Sequence, residues 1–110
     1  MILEVALLQV KKEFAHQFEK DFALAGKFIS AIDGYLKHSL QKCIEQENKY
    51  LLLVEWRSLE DHTIGFRQSA EYQEWKALLH HYYDPFPVVE HFQTVLEHAG
   101  NADTAKKDNV

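Results

Sequence analysis

The sequence predicts an α+β fold of the ferredoxin-like kind, β-α-β-β-α-β with an antiparallel sheet, and three observations predict it. A short apolar run opens the chain, ILEVALLQV at residues 2–10. Apolar residues then recur at helical steps of three and four. Two strand-like segments follow back to back before a helical period returns, and a final apolar run, VVEHFQTVL, closes the pattern. That order is the split βαβ arrangement.

Taken in order, residues 2–10 are short and partly β-branched, as a strand requires. Phe14, Phe18, Phe22, Ala25, Ile29 and Ile32 then fall on one face of a helix, which Gly26 weakens and Asp33-Gly34 ends. From Tyr35 to Ile44 the pattern alternates, placing Leu36, His38 and Leu40 together on one strand face. EQENK turns the chain, with Asn48 as a turn residue, and YLLLVEW completes a hairpin. Ser58 offers a helix N-cap ahead of Glu60 and Asp61. Ser69 offers another, for a helix in which Tyr72, Trp75, Leu79 and Tyr82 share a face. Asp84-Pro85 stops that helix, because the residue before proline avoids helical geometry.

The hairpin strand predicts assembly. Leu52, Val54 and Trp56 point to one side while Leu51 and Leu53 point to the other, and the first strand is apolar on both sides as well. Helices of such a fold cover one face of the sheet only. The second face would leave a patch larger than a monomer tolerates. A homodimer packed through that sheet face is expected.

Length and charge narrow the function. One hundred and ten residues make one domain, taken as 1–97, with the polar, aperiodic 98–110 expected to be a disordered tail. A net charge of −5 argues against gripping nucleic-acid phosphates. One cysteine, Cys43, allows no internal disulfide and no cysteine-based zinc motif. The N-terminal run, interrupted by Glu4, has no basic leader, and no stretch approaches the ~20 apolar residues of a membrane span. A cytoplasmic protein with no membrane partner is expected.

The histidine-rich stretch LLHHYYDPFPVVEHF, 78–92, invites a metal reading, which geometry opposes. His80 and His81 are helical neighbours pointing about 100° apart, and Glu90 and His91 lie on opposite faces of a strand. No metal is expected. Ser30, Ser39, Ser58 and Ser69 lack a nucleophile's context, and no glycine-rich loop cradles phosphate. His38, His62 and His91 remain, each either a core histidine with a satisfied hydrogen bond or an acid/base group tuned by burial. Phe66, Tyr72 and Trp75 either fill the core or wall a pocket for a flat ligand, which Tyr82 would close.

The run YLLLVEWRSLEDHTIGFRQSAEYQEWKALLHHYYDPFPVVEHF, above all EDHTIGFRQSAEYQEW and YDPFPVVEHF, resembles the antibiotic biosynthesis monooxygenase (ABM) family of dimeric α/β-barrel proteins. The strand GYLKHSLQKCIE fits too, so the resemblance covers residues 1 to about 97. It implies two ferredoxin-like units packed sheet to sheet. It also implies a monooxygenase that uses O₂ on a small quinol or phenol without flavin, haem or metal. His38, His62 and His91 would then be the candidate catalytic residues, and Phe66, Tyr72, Trp75 and Tyr82 would bind the aromatic substrate. The haem-degrading branch of the family uses an asparagine on the first strand, which ILEVALLQV lacks. Phe66 and Lys76 stand about where that branch has tryptophan and histidine, so haem degradation is not implied. The alternative within the same fold is a non-catalytic barrel that binds a small aromatic ligand.

Overall fold

Alternation decides which side of each strand is buried. In the first strand, β1 (Ile2–Gln9), Glu4, Ala6 and Leu8 face inward, and in β3 (Lys49–Trp56) Tyr50, Leu52, Val54 and Trp56 do. The structure, a computed structural model, describes residues 1–101. Its remaining principal elements are α1 (Ala15–Ile29), β2 (Tyr35–Lys42), α2 (Ala70–Leu79) and β4 (Val89–Phe92). The sheet is antiparallel with the order β2-β3-β1-β4, the arrangement of a ferredoxin-like fold.

Both helices lie on the inner face. From α1 come Phe18, Phe22, Ala25 and Ile29, from α2 Trp75 and Leu79, all buried at the spacing the sequence predicted. Phe18 anchors one end of this core, with the rings of Phe22, Tyr50, Tyr82 and Tyr83 centred 5.0–5.8 Å away. Such tilted and edge-on pairs each add about 0.5–1.5 kcal/mol beyond burial itself. Ser69 caps α2 as expected, its Oγ accepting from Tyr72 N at 3.0 Å. Gly34 holds φ +91° at the turn after α1, where a side chain would collide with Asp61.

Four features differ from the sequence expectation. A β-bulge between Tyr35 and Lys37 turns Leu36 outward, so Tyr35 and His38, three residues apart, share the inner face instead. The helix expected from Ser58 becomes a wider π-helical turn, Asp61–Phe66, in which Arg67 N donates to His62 O at 3.2 Å. α1 closes at Ile29, three residues short of Ile32. The last strand stops at Phe92, which pairs with Leu3, rather than continuing through residue 96. Of the expected tail, residues 102–110 lie outside the described residues.

Candidate functional site

Glu4 is the carboxylate in the inward row of β1, between Ile2 and Ala6, and it is only 5% exposed. Antiparallel pairing sets it opposite Val54 on β3 and His91 on β4. The π-helical turn brings His62 and Phe66 inward together, both buried. His62 stacks on Trp56, ring centres 5.2 Å apart and planes 19° from parallel. Two side chains approach one carboxylate oxygen. Trp56 Nε1 donates to Glu4 Oε1 at 2.9 Å, and His62 Nε2 lies 3.3 Å from the same atom. On its other side His62 Nδ1 lies 2.7 Å from His91 Nε2.

In the His62–His91 pair one ring nitrogen donates and the other accepts, according to the tautomers of the two rings. The result is a file, His91 to His62 to Glu4, running from the edge strand into the buried carboxyl. Because His62 stands between the other two, the three share no common coordination point. Among the described residues no three His, Cys, Asp or Glu side chains are grouped to hold a metal.

The file ends at a cleft of about 310 Å³ between sheet and helices, lined by Glu4, His62, Phe66, Arg67, Tyr72, Trp75, His80, Tyr83 and Phe86 among others. Phe66 meets Tyr72 and Trp75 edge-on, at 5.1 and 5.7 Å. The wall is therefore aromatic and the floor acidic. Burial raises the Glu4 pKa above its ordinary 4.5, against the Trp56 hydrogen bond and the Arg67 charge, which lower it. Burial, helped by Arg67 and His91, lowers His62 to about 3, and burial also lowers His80 and His91.

These shifts have opposite signs in stability. The part owed to neutral His62 is complete above its ordinary 6.5 and drains away as pH falls toward about 3. The part owed to protonated Glu4 is present below 4.5 and is lost as pH rises through its raised folded value. Replacing His62 by glutamine should therefore flatten the acid side of the melting-temperature profile, from about pH 6.5 downward. Parallel profiles for the two proteins would contradict the buried neutral imidazole.

Of the sequence candidates, the structure brings His62, Phe66, Tyr72 and Trp75 to the cleft, with His91 behind His62. His38 lies elsewhere: its Nδ1 is 2.6 Å from Tyr35 Oη and its ring packs edge-on against Phe22 and Trp75, outside the cleft lining. Tyr82 turns toward α1, its hydroxyl donating to Asp21 at 2.5 Å, while Tyr83 borders the cleft in its place. Glu4 and Arg67 were not singled out from sequence as site residues, and His80 was weighed there only as a metal ligand. For Glu4 there was a signal, a lone carboxylate in phase with Ala6 and Leu8.

A ferredoxin-like α+β domain with a cleft between helices and sheet is thus the class of protein that fold and site define. The sequence profile of the family described as antibiotic biosynthesis monooxygenase matches residues 1–78, and the chain belongs to that family. The uncharacterised protein YczJ of Bacillus subtilis (strain 168) is 59% identical over 95 residues, 86% of this chain and all of that protein. A crystal structure from Bordetella bronchiseptica, bearing the family's name, superposes with a TM-score of 0.82 at 34% identity, covering 86% of this chain and 97% of its own. SnoaB of Streptomyces nogalater, called a cofactor-independent oxygenase, has a TM-score of 0.64 at 20% identity, over 87% of this chain and 97% of its own. At that identity the likeness speaks for the fold. Among the described residues no helix is long and apolar enough to cross a membrane.

Proposed function

We propose that the cleft is the active site of a monooxygenase that acts on a small quinol or phenol with O₂, using no flavin, haem or metal. Family membership supports the reaction class, and one observation carries the site. Glu4 is a buried carboxyl of raised pKa, held by Trp56 and His62 at the floor of an aromatic cleft. A base with that environment is suited to a weakly acidic O–H.

In this reading Glu4 takes the phenolic proton through Oε2, since Oε1 already accepts from Trp56 Nε1. The phenolate passes one electron to O₂, and the radical pair joins at a ring carbon as a peroxide. Glu4 returns its proton to the peroxide, the ring C–H proton leaves as the O–O bond breaks, and water departs. One oxygen atom stays on the ring as a quinone carbonyl, and the substrate supplies all the electrons. Phe66, Tyr72 and Trp75 clamp the ring and keep water away from the anion. His62 and His91 are positioning residues that hold the carboxyl and extend its proton path to the edge strand.

The working unit in this proposal is a homodimer joined through the outer sheet face. Leu7 and Phe92 are about half exposed there, and Val5, Leu7, Leu51, Phe86 and Val88 line a second groove on that side. The deciding measurement is oxygen consumption by purified protein given a panel of quinols under air. Uptake well above the uncatalysed rate, with quinone formed mole for mole, is expected. Ligand binding without any uptake would leave a binding protein and end the oxygenase reading.

A further inference from the structure

The cleft carries two fixed charges at different depths. Glu4 is almost wholly buried, whereas Arg67 is exposed, and both border the same space. The imidazoles that line it, His62 and His80, are held toward their neutral forms by burial. Arg67 is thus the one cation of the lining, and its charge acts on Glu4, His62 and His91 alike. Among the described residues its guanidinium has no carboxylate within ion-pair distance. The other arginine, Arg57, is tied to both Asp33 and Asp61. Two arginines, one neutralised at a turn and one left over an aromatic cleft, are in different situations.

From acid floor through aromatic wall to cationic mouth, the order of groups specifies a ligand. We infer that the cleft is built for an anionic aromatic: a hydroxylated ring carrying a carboxylate, with its hydroxyl at Glu4 and its carboxylate on Arg67. The guanidinium fork matches a carboxylate with two parallel hydrogen bonds. The orientation follows from desolvation, because a ring carboxylate at the floor would meet Glu4, and two like charges there would repel. The pairing also favours catalysis. A carboxylate on Arg67 neutralises the cation that holds the Glu4 pKa down, which makes Glu4 a stronger base once the ligand is bound.

This inference rests on the proposed site but is tested by binding alone. Gentisate, a hydroquinone with a ring carboxylate, is compared with gentisamide, its neutral amide, by quenching of tryptophan fluorescence under argon. Gentisate should bind roughly tenfold or more tightly than the amide, as one charge-assisted pair implies. Arg67→Gln should bring the two ligands to within about twofold of each other, and Arg67→Lys should restore part of the preference. Equal affinity in the unaltered protein, a preference that survives Arg67→Gln, or no binding of either ligand would each overturn it. Preference for the acid without oxygen uptake would instead end the oxygenase reading and leave the anion site standing. Oxygen uptake on neutral quinols with no such preference would do the reverse.

Discussion

Replacing Glu4 by glutamine should lower quinol-dependent oxygen uptake about 10²–10⁴-fold, the range a positioned general base contributes. The substitution changes one atom and preserves the fold around it. A glutamine carbonyl oxygen still accepts from Trp56 Nε1, the donor bound to Oε1. What it lacks is the capacity to take a proton. The loss should therefore fall on kcat, with KM changed little, because the aromatic clamp of Phe66, Tyr72 and Trp75 stays in place. The rate should also lose its rise with pH, since the group responsible for that rise is the carboxyl whose pKa burial has raised. His38→Ala is the comparison that separates mechanisms. His38 is outside the cleft lining, bonded to Tyr35, so its removal should leave most of the rate. A Glu4→Gln protein with full activity would take the base role from Glu4, and a His38→Ala protein with none would move the chemistry to His38.

Much of this architecture was legible, because periodicity reports burial directly. Phe18, Phe22, Ala25 and Ile29 were placed on one helix face by spacing, and all are buried. The same holds for Leu52, Val54 and Trp56 on β3. What escaped was everything set by register rather than period. The bulge at Tyr35 shifts His38 out of phase with Leu36, and no residue type announces it. The π-helical turn, which aims His62 and Phe66 into the same space, closes a bond over five residues that a helical wheel does not represent. Glu4 and His91 become neighbours only because β4 pairs with β1 in one particular alignment. The grouping of Glu4 with His91 is therefore a product of long-range pairing. The histidines could be named from sequence, whereas Glu4 showed there only as a lone carboxylate in phase with Ala6 and Leu8, without its partners.

Leu7→Glu should convert the proposed dimer to monomer at micromolar concentration, raising the dissociation constant about 100-fold or more, since an unpaired carboxylate buried in an apolar interface costs several kcal/mol. Leu7 suits the test because it is 51% exposed in the single chain, so the charge has water to face when the partner is absent and the domain should still fold. It pairs across the sheet with Leu51, and both line the outer groove with Val5 and Phe86. That groove has a second consequence. Phe86 and Pro87 border it on one side and the Glu4 cleft on the other. A partner copy seated on the outer face would press on the same segment that forms the lip of the inner cleft. Loss of the dimer should then weaken substrate binding as well, raising KM while Glu4, His62 and His91 keep their positions on β1, the π-helical turn and β4. Sedimentation velocity and oxygen uptake on the same sample decide the matter. A monomeric parent protein would remove the dimer from the account. A monomeric Leu7→Glu with unchanged KM would show that each cleft is complete within its own chain.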